Sequence, residues 1–335
     1  ERLMAIGSGL GSQVGFSTES TWGTRVAPAK FVRGTAYAAN RAQNRVQGEG
    51  LQAGVIGNIG AHYVETTEAG EGSISLDIQT SGMGPLLQAL TGGTSTIAQQ
   101  AATAAWLQTH TLGDPVKSLT VQVGVPYRTG TVYVEELQGA KVTSAELSCS
   151  ADSLLTGSFN FDAKKWDNSQ TLASASYVSA TPFHGKQMAV KTGTFGAETS
   201  VSGVRSVSLS WNNAFDTEDY TAGSTGLKAE QIRNGVVGIT GSLTVDWLTT
   251  SKTAFEDLRV ANTSTSLVLK WTGALIASTY YYDLEIGLPG VFFTGDSPSI
   301  SGADVPQVEY GFEWKYDGTN LPYIKYISTD ATTIG

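Results

Sequence analysis

The stretch GSISLDIQT, Gly72 to Thr80, returns in the second half of the chain as GSLTVDWLT, Gly241 to Thr249. Ile74, Leu76 and Ile78 alternate with Ser73, Ser75 and Asp77, and Leu243, Val245 and Trp247 take the same apolar phase beside Asp246. Strict alternation of this kind predicts an antiparallel strand with one buried face. The segment after each strand also matches. GMGPLLQALTG places Pro85 in a first helical turn, Leu86, Leu87 and Leu90 at helical spacing and Gly92 as the stop, while SKTAFEDLRVA sets Phe255 and Leu258 three apart. SLTVQV (Ser118 to Val123) is then answered by SLVLKW (Ser266 to Trp271), and Gly50-Leu51 by Gly226-Leu227 in the loops before the strands. The order predicts two copies of one module. A chance likeness between Ser- and Leu-rich strands is the competing explanation, and agreement of element order weighs against it.

A chain of 335 residues, 40% of them apolar, can bury one large core or two ordinary ones. Its 39 glycines and only 15% charged residues suit short strands and turns rather than long helices. The expected class is mainly β: tandem β-sandwich or barrel modules, each with a short flanking α-helix. Residues 1–30, rich in Gly, Ser and Thr, are expected to be an extended arm that packs outside its own core. Residues 31–166 form the first module, 167–202 a polar, turn-rich connection in which MAVKTGTF could be one strand, and 203–335 the second module. The Thr- and Ala-rich excursion from Thr91 to Lys117 is expected to be an exposed loop with one weak helical turn around Ala101 to Trp106.

Chemistry is hard to find in the sequence. The net charge of −9 argues against wrapping nucleic acid, which requires Lys and Arg at the phosphates. No run reaches the 18 apolar residues of a spanning helix. The lone Cys149 cannot form an internal disulfide, and ERLMAIGSGLGSQ lacks the apolar run of a signal peptide, so folding in a reducing cytoplasm is expected. Gly185-Lys186 has Ala180 where a phosphate loop needs glycine, and GSGLGS has Ser12 where a dinucleotide loop needs its third glycine. His62, His110 and His184 lie far apart, which predicts no metal site, and no G-x-S-x-G elbow surrounds a serine. Glu135-Glu136, Asp216 to Asp219, and Asp283 with Glu285 read as solvated faces rather than a glycosidase pair. No catalytic residue, cofactor or metal is expected.

Whole segments of the chain do resemble one family. GSGLGSQVGFSTESTWGT, NRVQGEGLQAG, GEGSISLDIQTSGMGPLLQALTG, the stretches VTSAELS and GVRSVSLSWNNAF, and LEIGLPGVFFTGDSPSISGADVPQVEYGFEWKYD together resemble the major tail tube proteins of long-tailed bacteriophages (siphophages). The resemblance implies a homo-oligomer of stacked rings, a hollow tube in the virion tail through which phage DNA passes without specific binding. It also implies assembly in the host bacterial cytoplasm, with a tape-measure protein and other tail proteins as partners and no membrane. A duplicated module suggests three chains in a pseudo-sixfold ring, with six chains as the other arrangement. Asp77 and Asp246, in equivalent polar slots, are the candidate lumen or inter-subunit residues. Two alternatives stand beside this reading: a tail terminator or other head or tail completion protein, and a carbohydrate-binding or carbohydrate-degrading β-protein whose tryptophans would gather on one exposed face.

Overall fold

A computed structural model describes residues 8–331 apart from 116, 301, 302 and 304. Strands hold 54% of the chain and helical segments 9%, so the protein is mainly β. The order begins β1 (Gln13–Glu19), β2 (Lys30–Val32), β3 (Gly34–Gln47), β4 (Tyr63–Asp77) and helix α1 (Gly84–Thr91). It continues through β5 (Gly92–Gln99), β6 (Trp106–Leu112), β7 (Ser118–Pro126), β8 (Val132–Ser150), β9 (Thr156–Ala163) and β10 (Lys165–Asp167). The second half holds β11 (Met188–Gly193), β12 (Thr199–Val201), β13 (Val204–Asn212) and β14 (Gly238–Asp246). A helical segment over residues 249–260 comes next, α2 (Thr249–Ser251) and α3 (Asp257–Val260) joined by a π-helical turn over Lys252–Glu256. The last strands are β15 (Thr265–Ala277), β16 (Tyr280–Thr294), β17 (Gln307–Trp314) and β18 (Tyr323–Ser328).

Seven antiparallel ladders organise the first half. β1 pairs with β2 and β7; the first part of β8 pairs with β7 and β10; its second part pairs with β9, which takes β4, which takes β3. β11 to β18 repeat these seven ladders in the same chain order. The registers agree in detail. Gly72 faces Phe161 and Gly241 faces Phe312. The shift at Gly34/Ala36 recurs at Val204/Ser206. Leu119 and Val121 face Ala140 and Leu137, while Thr265 and Leu267 face Val291 and Leu288, so both long strands carry one bulge at one place.

Two pairs of glycines explain why the letters repeat. Gly139 and Gly290 sit just before these bulge residues with φ of 68° and 75°, a region that costs an L-residue steric strain. At Gly72 a Cβ would lie 2.5 Å from the carbonyl oxygen of Ala38, and at Gly241 one would lie 2.1 Å from that of Ser208. The ladder also corrects one reading: the counterpart of Ser118 is Ser264, two residues before the Ser266 that the letters suggest.

Three expectations about organisation differ from the structure. Residues 13–30 are not an arm: β1 is a central strand whose Val14 and Phe16 are fully buried, and the ladder to β7 runs from Gln13 to Glu19. Its signal was obscured by Gly15, which lets the Phe31 ring lie against the backbone; the expectation for residues 1–7 lies outside the described residues. The stretch 167–202 is not only a connection, because β11 and β12 lie in it and β11 pairs along β15. The excursion after α1 is the β5–β6 hairpin, with Ala101 and Ala102 at positive φ in its turn, and β6 is held by β18. The residues Trp106–Leu112 alternate in burial from Leu107 on, a strand period that the Ala-rich flank hides.

One contiguous apolar cluster lies between the layers and draws on both halves. α1 buries Leu86, Leu87 and Leu90 in it. The second helical segment inserts Phe255 edge-on to Phe293, with ring centroids 5.1 Å apart, and beside Tyr310 at 5.7 Å. Arg259 donates to Glu256 from Nη2 at 2.7 Å and holds that carboxyl below its usual range, which fixes the last turn.

His110 on β6 is fully buried, its Nδ1 2.7 Å from the Ser95 hydroxyl, and burial lowers its pKa from 6.5 to about 4. The unfolded chain therefore binds a proton more readily between these values, and stability present above pH 6.5 is lost as pH falls towards 4. Acidification from pH 7 to pH 5 is expected to cost about 2 kcal/mol through this group. Denaturant titrations at the two pH values should show that difference shrink in His110→Asn; an unchanged difference would refute the assignment.

Candidate functional site: a hydroxyl-rich sheet face and its open edge

The ladders join β3, β4, β9, β8, β13, β14, β17 and β16, in that order, into one eight-stranded sheet. The link between its halves is the β8–β13 ladder, from Ser206 opposite Ser150 to Asn212 opposite Ser144. On the inward face lie Ile74, Leu76, Phe159, Leu147, Leu209, Leu243 and Tyr310, all buried. The other face is rich in hydroxyls: Ser73 and Ser75, Ser158, Ser144 and Ser148, Ser206, Ser208 and Ser210, then Thr240, Ser242 and Thr244.

Short side chains at period two leave the backbone pleat exposed and satisfy one another across strands. Ser75 meets Ser158 at 3.2 Å, Ser148 meets Thr156 at 2.9 Å, Ser208 meets Ser242 at 3.0 Å, and Asn160 donates to the Ser144 hydroxyl at 2.9 Å. A depression of about 410 Å³ over β4, β9, β8 and β13 makes part of this face concave.

Asp77 and Asp246 both lie on this face. Asp77 ends β4 opposite Thr156, and Asp246 ends β14 opposite Gln307. Three strands separate them, roughly 19 Å at the usual strand spacing, so the sheet does not bring them together. Their surroundings differ: Asp246 accepts from Arg205 Nε at 2.5 Å, whereas Asp77 faces a hydroxyl. Glu146 and Glu309 are exposed on the same face, and Glu313 is paired with Lys315. The cations these strands place there are paired: Arg205 with Asp246, and Lys141, opposite Asp162 on β9, with Glu230. A polyanion would meet hydroxyls and carboxylates with little to hold a phosphate.

Around the face, buried and half-buried carboxylates fix the loops. Glu19 accepts from the Ser118 and Thr120 hydroxyls at 2.6 and 2.7 Å and from the N–H groups of Gly139 and Gly23, both at 2.9 Å. Glu198 does the same for the second half, accepting from Ser266 at 2.6 Å, and Ser266 is the counterpart of Thr120. Glu136 is fully buried and accepts from Arg25 Nε at 2.6 Å and from Gln122 at 2.9 Å. Asp162 holds Lys228 Nζ at 2.5 Å; burial pushes its carboxyl up while Lys228 and Gln231 pull it down. The pair clamps the loop before β14 onto β9. Cys149 is buried, which raises its thiol pKa and leaves it a small core residue.

β3 ends this sheet. Among the described residues its single ladder is the one to β4, and the N–H and C=O groups on its other side have no partner there along Ala36–Ala42. In β13, the matching residues Ser206–Asn212 carry the ladder to β8. An open edge of this length is an invitation to another strand.

A family model described as phage tail tube protein matches residues 9–314. The chain belongs to that family. It is thus a structural tail tube protein, a component of the virion tail that works by assembling with other tail proteins. No curated protein matches the chain in sequence. The match spans both halves, and in this tail tube protein the hydroxyl face and the β3 edge are the features that sequence reasoning passed over. Serine or threonine at most second positions in VTSAELSCS, VRSVSLSWN and GSLTVD was the available signal for the face. The edge had none, because an unpaired strand and a paired one share a pattern.

Removing one partner of the buried pair should separate these structural roles. Lys228→Met strands a buried carboxylate and is expected to cost about 3–5 kcal/mol in denaturant titration. Arg205→Ala, at a half-exposed pair, should cost less than about 1 kcal/mol; equal losses would contradict the clamp.

Proposed function

We propose that this tail tube protein assembles into stacked homo-oligomeric rings whose hydroxyl face lines a conduit for phage DNA. The observation that carries the reading is the β8–β13 ladder. It joins one half of the chain to the other, and β3 leaves open the edge that β13 uses for that join. On the donor side, β8 runs on through Ser144–Ser150, whereas β16 stops at Thr294 and Gly295, at φ 118°, turns the chain away. Residues 295–300 of one chain then become the strand that pairs with Ala36–Ala42 of the next, in the register of β8 on β13.

This junction repeats the internal one, so each chain counts as two copies of one module and three chains close a pseudo-sixfold ring. The module boundaries follow the ladders, β1 to β10 and β11 to β18. Asp77 and Asp246 then face the conduit, where duplex DNA with about one charge per 1.7 Å of axis slides past a wall that offers it no free cation rows. Assembly takes place in the host cytoplasm, with a tape-measure protein setting length. The carbohydrate alternative is disfavoured: none of the seven tryptophans is exposed, and Trp211, Trp271 and Trp314 are buried.

Proline scanning over Ala36–Ala42 tests the junction. Proline removes a donor without touching the β4 ladder at alternate positions. Those variants should stay folded by circular dichroism yet fail to sediment as tubes; polymer from every variant would sink the proposal, and single rings in place of tubes would favour the terminator reading.

A further inference from the structure

The segment that would pair with β3 of a second copy carries the pattern of a strand but is held in another place. Val142 opposite Phe161 and Phe293 opposite Phe312 form matching rungs of the two long strands. Beyond its rung β8 bulges at Val142/Ser144 and runs on, with Ala145, Leu147 and Cys149 buried and Glu146 and Ser148 exposed on the hydroxyl face. Carried onto GDSPSI with the same bulge, this pattern puts Asp296, Pro298 and Ile300 on the core side and Ser297 and Ser299 among the hydroxyls. The serine phase of the face thus continues past the end of β16. Yet Ile300 is 82% exposed where its counterpart Cys149 is 2% exposed, so the segment leaves uncovered an apolar side chain that the strand would bury.

Two residues of the 249–260 helical segment hold it there. Arg259 donates from Nη1 to the Gly295 carbonyl at 3.2 Å and from Nη2 to the Ser297 hydroxyl at 2.8 Å, and that hydroxyl donates to Glu256 at 3.2 Å. The helical segment packs on the core side of the sheet, where Phe255 meets Phe293 and Tyr310. Ser297 is therefore on the core side when bonded to the helical segment and on the hydroxyl face when in the strand. One position excludes the other. At the end of α1 in the first half, the Thr91 hydroxyl bonds instead to carbonyls of its own helix, those of Leu87 and Gln88. Pro298, at the place of Leu147, gives the sheet no N–H, so the strand forms with one ladder bond fewer than its counterpart and a small tie can hold it off.

We infer that Arg259 and Glu256 form a latch that keeps residues 295–300 off the β3 edge of a second copy until the copies meet, and that Arg259 then passes from Ser297 to Asp296. In the strand Asp296 faces the core side, where a carboxylate needs a cation. The Glu256 carboxylate holds the Arg259 guanidinium above its usual range, and the charge of Asp296 adds to this, so the two groups are already near one another. The inference rests on the lateral junction of the proposed ring and names what restrains it. A chain whose pairing form is the minor one associates only at a correspondingly higher concentration, so the latch sets the concentration at which polymer begins.

Ser297→Ala and Asp296→Asn in the full-length chain test it. Both residues are exposed and the Arg259–Glu256 pair is left intact, so the fold should be retained, which circular dichroism checks. For each protein the lowest concentration that sediments as polymer is read at one salt concentration. Ser297→Ala should lower it roughly fivefold or more, the effect of losing a single hydrogen bond, and Asp296→Asn should raise it by a similar factor. Opposite signs mark a latch, because a segment that served only the fold of the free chain would move both variants the same way. Ser297→Ala at or above the wild-type concentration overturns the latch and leaves the tube reading standing. Failure of wild type and Ser297→Ala alike to form polymer at any concentration overturns the two together.

Discussion

The β8–β13 ladder is the interaction on which the rest depends. Seven residues on each strand turn two four-stranded halves into one eight-stranded sheet. Without it each half would present its own open edge, with a row of unpaired backbone groups that water or another chain must satisfy. With it that sheet has, among the described residues, one such acceptor edge left, β3, and one strand, β16, that stops short of the length of its counterpart. A ring built by repeating an internal junction needs no second kind of lateral interface, and a head-to-tail contact of this type closes or propagates according to its rotation.

In the proposed conduit, the face of that sheet serves by what it does not bind. Serine and threonine satisfy one another across strands, cover the pleat with short side chains, and leave the sparse charges mostly negative. A wall of lysines would bind the phosphates of a passing duplex at many points at once, and affinity would grow with each counterion released. The cations are spent on carboxylates: Arg25 on Glu136, Lys270 on Asp283, and, at one end of the face beneath the loop before β14, Lys141 on Glu230 and Lys228 on Asp162. Arg205 is likewise paired, with Asp246.

Much of the fold was legible because its determinants are local. Alternation marked β4 and β14, Pro85 and Gly92 bracketed α1 to within two residues, and Gly72 and Gly241 repeated because the same carbonyl approach excludes a side chain at both. Elements whose determinants are distant were misplaced. β1 reads as an arm because its burial is supplied by β7, more than a hundred residues away, and β6 reads as loop because β18 supplies its partner. The slip of two residues between Ser264 and Ser266 preserves the strand period, so only the ladder reveals it. At the candidate site, Asp77 and Asp246 were rightly given the polar side of their strands, but Arg205 sits one strand over, and no sequence pattern announces a cross-strand ion pair. The hydroxyl face was visible strand by strand and not as a surface, because strand order is not written in any one strand.

A three-dimensional reconstruction of the purified assembly would test the central claim most directly. The account predicts one continuous sheet around the ring, with Ala36–Ala42 of each chain antiparallel to the residues after Thr294 of its neighbour, in the register of β13 on β8, and with the hydroxyl face turned to the lumen. A tube in which the β3 edge meets solvent, or in which the hydroxyl face lies on the outer wall, would contradict it.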